Sequence, residues 1–351
     1  MAPEVAPIRA GEEIDAQALA VYLRGKIEGV ERGISVQQFP GGHSNLTYLL
    51  RAGDREYVLR RPPLGPVAPK AHDMAREYRV LEAVHPVFPP APRVFLLCED
   101  AAVIGSTFYL MERRHGIVLR RDFPREMAGD ATLPGRISEG FIDCLAQFHA
   151  IDIGRHGLAA LGRPEGFLER QVHGWTDRWA RAKTEELPGM DKLVRWLDAR
   201  LPKSGRATLV HNDFKLDNTM LDAKDPGRVE AVLDWEMTTV GDPLADLGCT
   251  LCYWSQAGDP EFRGGALSGI TAAPGWYTRA ELVNRYASQT GRDVKDLGYY
   301  EVFGLFKLGV ILQQIYFRYH RGQTSDERFR DFHLRVRGLM RAAVEMSENL
   351  R

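Results

Sequence analysis

Asp213, Asn218 and Asp234 have the side-chain types and spacing that one kind of chemistry uses. They lie in Leu209-Val-His-Asn-Asp-Phe-Lys-Leu-Asp-Asn-Thr-Met-Leu221 and Val232-Leu-Asp-Trp-Glu236, segments whose short apolar runs deliver polar groups at their ends. Moving a terminal phosphoryl group requires an acid to accept the hydroxyl proton, oxygen ligands for Mg2+, and a fixed geometry between them. Asp213 suits the first task. Asn218, five residues on, offers an amide oxygen instead of another negative charge, so it can ligate a metal without adding repulsion around the base. Asp234, at the end of its own β-like run, supplies a bridging carboxylate. The ring of His211 can hydrogen-bond nearby backbone and so brace the loop that carries Asp213.

Two other readings compete for the same residues. A His, several acids and an Asn between strands also describe an ordinary polar hairpin loop. A metal hydrolase built on His211, Asp213 and Asp234 is conceivable, although it lacks further His ligands at useful spacing.

At these positions the chain resembles the aminoglycoside phosphotransferase-like branch of the protein-kinase-like fold. His211, Asp213 and Asn218 match the branch's His-x-Asp-x-x-x-x-Asn pattern, and Leu233-Asp-Trp-Glu236 its metal-binding motif. Gly241-Asp-Pro-Leu-Ala-Asp-Leu247 looks like its Gly-Asp-Pro-x-x-Asp-Leu segment. Three ordered motifs within about forty residues outweigh any one of them. The resemblance implies an α+β, two-lobed kinase-like fold. Residues 1–112 would form a nucleotide-binding lobe of a small antiparallel sheet plus one helix, and 113–351 a larger, mainly helical lobe for catalysis and acceptor binding. It further implies ATP, Mg2+ on Asn218 and Asp234, Asp213 taking or orienting the acceptor's proton, and Asp246 bracing the catalytic loop from beneath.

The elements that must hold these groups are legible in outline. Ile34–Phe39, Leu46–Arg51 and Glu56–Arg61 read as strands separated by turns at Pro40-Gly-Gly42 and Ala52-Gly-Asp54. A Gly-Gly turn is by itself a common hairpin. The resemblance places a phosphate-covering loop there, and with it Gly41, Gly42, Ser44 and Asn45 as nucleotide contacts, glycine allowing close backbone approach. On the third strand the family's lysine is replaced by Arg60, which keeps the charge and can grip phosphate through two nitrogens. The helix expected over Ala71–Val84 offers Glu77 as its partner, the alternative for Glu77 being a solvated surface charge. Arg61–Lys70 is too rich in Pro and Gly to continue either element and reads as a flap. Arg93–Leu97 and Thr107–Glu112 are two more strands, leading to a hinge where adenine would bond backbone around Met111 and Glu112.

Helices are expected over Ile137–Ala150, Leu168–Leu201 with a break at Leu187-Pro-Gly189, Arg279–Ser288, Leu297–His320 and Asp326–Ser347. His149 reads as structural, and Trp175 and Trp179, four apart on one face, as packing residues. Val302–Phe317 is the longest apolar stretch, but Lys307 and two glutamines interrupt it, which argues for a buried helix over a membrane span. Cys98, Cys144, Cys249 and Cys252 are too few and scattered for a disulfide framework and read as buried thiols, including the Cys249-x-x-Cys252 pair. With 351 residues, 44% hydrophobic and 26% charged, the chain suits a soluble globular protein of two lobes. No secretory signal is expected in Met1–Asp15. The expectation is a cytoplasmic enzyme with a small-molecule partner and neither nucleic acid nor membrane.

Charge bears on that small molecule. From Ser255 to Arg351, fourteen Lys plus Arg face eleven Asp plus Glu, whereas an acceptor pocket for polycationic aminoglycosides should be lined with carboxylates. A neutral or anionic acceptor is the reading. Gln171–Trp179, Lys183–Pro188 and Asp234–Asp246 look closest to a subgroup joined, in some larger proteins, to acyl-CoA dehydrogenase domains, which implies a hydroxyacyl-CoA or related hydroxy acid. Arg328, Arg330, Arg335, Arg337 and Arg341 could meet CoA phosphate, or merely cover the solvent face of a helix, the default for such a run. The alternatives are an inactive, nucleotide-binding pseudokinase, suggested by Arg60, and an aminoglycoside phosphotransferase.

Overall fold

A computed structural model describes residues 4–40, 45–64, 72–120, 123–260, 269–324 and 326–350. The chain divides into two compact units, one of Met1–His115 with Glu230–Thr238, the other of Gly116–Val229 with Thr239–Arg351.

In the first unit β1 (Ile34–Gln38), β2 (Leu46–Ala52), β3 (Arg55–Arg61), β4 (Val94–Cys98) and β5 (Phe108–Glu112) form one sheet in the order β1-β2-β3-β5-β4. Every neighbouring pair is antiparallel. Side chains alternate between its faces. Tyr48 and Leu50 of β2, Tyr57 and Leu59 of β3, and Phe108 and Leu110 of β5 pack with Leu19 and Leu23 of helix α1 (Ala16–Leu23). Asp15 caps α1 through Oδ1, which accepts the Gln17 and Ala18 N–H groups. That helix is absent from the expectations above.

The same alternation gives the two arginines at the end of β3 different work. Arg61 faces the α1 side, is 2% exposed, and donates to the Tyr48 hydroxyl and the Ile104 and Glu12 carbonyls. It ties the N-terminal segment to the sheet. Arg60, one residue back, faces the other way. There lies helix α2 (Met74–Val84), which begins three residues later than expected because Asp73 accepts the Arg76 N–H and caps it.

The second unit is mainly helical, with α3 (Leu133–His149), α4 (Phe167–Ala182), α5 (Met190–Ala199), α6 (Pro243–Tyr253) and three further helices, Arg279–Thr290, Leu297–His320 and Phe332–Asn349. The last was expected to start at Asp326. Asp326 instead accepts the Arg328 N–H to start a short 3-10 turn, Glu327–Phe329, and the helix begins after Asp331. Strand β6 (Thr208–Val210) pairs antiparallel with β9 (Thr239–Gly241). A further short strand, β7 (Thr219–Leu221), follows the loop that carries Asp213, while β8 (Val229–Val232) passes into the first unit at Glu230 and leads to Asp234.

Helix α6 and the helix Leu297–His320 approach through glycines. A Cβ on Gly248 would lie 2.5 Å from the Tyr300 carbonyl oxygen, and one on Gly304 would lie 2.7 Å from Cys252 Sγ. All four cysteines are buried free thiols, as the sequence suggests. Trp175 and Trp179 are buried as packing residues. Among the described residues no helix is long and apolar enough to cross a membrane.

Candidate active site

In the first unit, β3 delivers Arg60, α2 delivers Glu77 and the end of β8 delivers Asp234 to one cluster. Arg60 Nε lies 3.1 Å from Glu77 Oε2, and its Nη2 lies 2.5 Å from Asp234 Oδ1. Glu77 is 1% exposed, so it is no solvated surface charge; its Oε1 accepts the Trp235 N–H at 3.2 Å. Burial pushes the Glu77 carboxyl up to about 7, against the pull of Arg60 and with the added repulsion of Asp234 and Glu236. Burial opposes the charge of Arg60, but Glu77 and Asp234 outweigh it and hold the guanidinium well above its ordinary value. The Tyr109 phenol, buried beside Glu77, is likewise pushed well up.

Asp234 has φ of 66°, a left-handed conformation that Asp tolerates better than most residues. Glu236 accepts the Asn45 amide at 2.8 Å, while Asn45 Oδ1 meets His72 Nδ1 at 2.8 Å. Arg76 spends its fork on the Glu236 and Thr238 carbonyls. The Glu77, Asp234 and Glu236 carboxyl groups thus act on one guanidinium, and the Asp234 carboxylate is the oxygen donor among them that a divalent cation could use. Mg2+ needs no all-protein cage, since it is held by one or two side chains with phosphate oxygens and water. Among the described residues no three His, Cys, Asp or Glu side chains form such a cage, which gives the metal-hydrolase reading no further ligands.

In the second unit, the loop after β6 carries Asp213. Its Oδ1 accepts the Tyr253 hydroxyl at 2.9 Å, and its Oδ2 accepts Lys215 Nζ at 2.7 Å and Asn218 Nδ2 at 2.8 Å. Burial, then the charge of Asp213, hold the Tyr253 phenol well above its ordinary value and keep it a donor. Asn218 Nδ2 also donates to the Asp213 carbonyl at 2.9 Å. With two acceptors facing its nitrogen, the carboxamide oxygen of Asn218 is the atom that can take a metal.

Asp246, fully buried on α6, accepts the main-chain N–H groups of His211 and Asn212. His149 Nε2 lies 3.2 Å from the same carboxylate, and its Nδ1 meets the Tyr286 hydroxyl at 2.7 Å. Burial opposes the charge of Asp246, yet these partners hold it below the usual carboxylate range. Asn212 is left-handed, with φ of 65°, and its carbonyl accepts Lys307 Nζ at 2.9 Å. His211 contributes its main-chain N–H to this brace, and its ring packs edge-on against Phe214.

Of the remaining candidates, Gly41, Gly42 and Ser44 lie outside the described residues. Met111 is buried on β5, opposite Val58. The Glu112 carboxylate is engaged by Arg114 at 3.0 Å and the Arg93 N–H at 3.1 Å. Four of the five C-terminal arginines pair with surface acids, Arg328 with Asp326, Arg330 with Glu327, Arg337 with Glu185, and Arg341 with Glu345, and Arg335 lies over the Phe332 ring. Tyr253 and Lys307 escaped the sequence reading as site residues. Tyr253 belongs to no motif, whereas Lys307 left a signal, a lone cation in an apolar run.

The model of the Phosphotransferase enzyme family matches residues 35–282. Mouse (Mus musculus) acyl-CoA dehydrogenase family member 10 is 35% identical over 333 residues, 92% of this chain and 30% of its own length. Rat (Rattus norvegicus) acyl-CoA dehydrogenase family member 11 is 34% identical, over 90% of this chain and 41% of its own length. The chain thus spans well under half the length of these relatives. A crystal structure from Ralstonia eutropha, described as a candidate aminoglycoside phosphotransferase, is 32% identical with a TM-score of 0.81, over 96% of this chain and 99% of that one. A thermostable mutant of an aminoglycoside phosphotransferase, in complex with AMP-PNP and hygromycin B, shares the fold at a TM-score of 0.62 and 18% identity, over 94% of this chain and 99% of that one. The motif order, the antiparallel sheet with α2, and these matches agree: the chain belongs to the Phosphotransferase enzyme family.

Proposed function

We propose that the chain is an ATP-dependent small-molecule kinase that moves the γ-phosphate to a hydroxyl of a neutral or anionic acceptor, with hydroxyacyl-CoA or a related hydroxy acid as the acceptor class. The observation that carries this is the setting of Asp213. Three donors, from Tyr253, Lys215 and Asn218, fix its carboxylate in one orientation, as a group that must meet a substrate hydroxyl at a set angle requires.

In this reading Asp213 accepts the hydroxyl hydrogen bond, aims the oxygen at phosphorus, and takes the proton as the new bond forms. Arg60, steered by Glu77, grips nucleotide phosphate. Asn218 and Asp234 are the residues that would hold Mg2+, which would supply neutralisation of the phosphate charge. Asp246 keeps the loop in shape. The acceptor class rests on the excess of basic residues from Ser255 onward and on relatives named as acyl-CoA dehydrogenase family members.

The test is ADP release from Mg-ATP across a panel of hydroxyacyl-CoAs, hydroxy acids, sugars, choline-like alcohols and aminoglycosides. ADP that depends on an anionic acceptor and disappears in Asp213→Ala supports the proposal. Nucleotide binding without turnover on any member favours a pseudokinase, and turnover confined to aminoglycosides favours that acceptor class instead.

A further inference from the structure

Lys307 sits in the middle of the helix Leu297–His320 and is 3% exposed. An ammonium taken out of water costs several kcal/mol unless something compensates it. Its hydrogen bonds run to the Asn212 carbonyl oxygen at 2.9 Å and, more loosely, to Asn212 Oδ1 at 3.5 Å. Neither partner is a carboxylate. The Asn212 N–H, on the other side of the same residue, donates to Asp246 Oδ1 at 2.8 Å. A buried anion and a buried cation therefore hold one residue by its two main-chain polar groups. That residue is left-handed and immediately precedes Asp213. Burial pushes the Cys249 thiol up, with the charge of Lys307 opposing the rise and those of Asp246 and Asp213 adding to it.

We infer that Lys307 is a positioning residue: with Asp246 it clamps the Asn212 main chain in its left-handed conformation, and so sets the direction in which Asp213 presents its carboxylate. The physical reason is that φ near +65° still costs Asn more than Gly, although Asn tolerates it better than most residues, so partners on both sides of the residue are needed to hold it in one conformation. The Asn212 N–H donates to Asp246 and fixes the peptide before its Cα; Lys307 donates to the Asn212 carbonyl and fixes the peptide after it, so the two together hold φ and ψ. Trp175, whose ring centroid lies 5.7 Å from Lys307 Nζ, gives the ammonium a second favourable contact. The kinetic consequence rests on the phosphotransfer reading above; the structural one stands without it.

Two variants of the full chain test this: Lys307→Met, which keeps length and removes the donor, and Lys307→Gln, which keeps a donor without the charge. Hydrogen–deuterium exchange should show the segment 211–218 losing protection in Lys307→Met by about tenfold or more, with the sheet of the first unit unchanged and Lys307→Gln in between. With the acceptor selected by the panel, Lys307→Met should lower kcat by about 10- to 100-fold and leave the KM for ATP within about twofold. A second background separates clamping from bulk stability. Gly adopts φ near +65° freely, so Lys307→Met should cost less in kcat and in loop protection when placed on Asn212→Gly. Wild-type exchange of 211–218 in Lys307→Met overturns the inference, as does protection lost equally throughout the second unit in both variants. If the wild-type chain turns over no acceptor, the phosphotransfer reading fails while the exchange result still decides the clamp.

Discussion

Arg60 Nη2 lies 2.5 Å from Asp234 Oδ1, so the arginine near the end of β3 is tied to the acid of the Leu-Asp-Trp-Glu segment. The same guanidinium reaches Glu77 with a different nitrogen. A fork can serve two carboxylates at once, whereas an ammonium is a point charge on a flexible stem.

Arg60→Lys should therefore keep the pairing with one acid at a time, raise the KM for ATP by about 3- to 10-fold, and leave folding nearly unchanged. Arg60→Met leaves buried Glu77 unpaired and should cost about 3–5 kcal/mol, read as a lower urea midpoint at unchanged slope. Equal KM for ATP in all three proteins would remove Arg60 from the nucleotide site.

Glu77 predicts a pH dependence. Its carboxyl is raised by burial from 4.5 to about 7 in the folded chain, so its contribution to stability is fully present below pH 4.5 and is lost as pH rises through 7. Glu77→Gln cannot titrate. The difference in melting temperature between wild type and Glu77→Gln should move against the wild type as pH rises from 4.5 to 7, then level off. A difference that stays flat over that window contradicts the assignment.

Gly248 tests the packing beneath the catalytic loop. Alanine at a helical glycine gains about 1 kcal/mol of propensity, yet here its Cβ would sit 2.5 Å from the Tyr300 carbonyl oxygen. Forcing two helices apart costs about 1–3 kcal/mol, occasionally more, so Gly248→Ala should be net destabilising in urea melts. Gly291→Ala instead places a Cβ on a positive-φ glycine, at the C-cap of helix Arg279–Thr290, where nothing lies near that Cβ. It should lose stability through backbone strain alone, by about 1–2 kcal/mol. A stabilising Gly248→Ala would show that the two helices can part freely.

How much of this was legible depends on the range over which the cause acts. Strands β1 to β3 are readable because alternation and turns are local, and the Pro188-Gly189 break between α4 and α5 for the same reason. Arg60 and Arg61 are adjacent and alike in sequence, and only the pleat assigns one to Glu77 and the other to the N-terminal segment. Helix α1 hides in Ala-rich sequence whose apolar residues become informative once Leu19 and Leu23 meet the sheet. The membership of Glu230–Thr238 in the first unit is a long-range fact that no local pattern encodes. In the candidate site the groups Asp213, Asn218, Asp234 and Asp246 are legible through the family motifs that the sequence resembles. Tyr253 and Lys307 reach the same loop from helices forty and more positions away, and the interrupted apolar run was the one trace that Lys307 left.

The central claim is that Asp213 directs a hydroxyl onto the γ-phosphate of ATP. Phosphorus NMR of a reaction with Mg-ATP and the panel's best acceptor measures it directly. Wild type should yield ADP and a new phosphomonoester in equal amounts, and Asp213→Asn should slow both by about 100- to 10,000-fold while still binding a fluorescent ATP analogue. Phosphomonoester formed by Asp213→Asn at the wild-type rate, or wild-type ADP accompanied by inorganic phosphate alone, would contradict it.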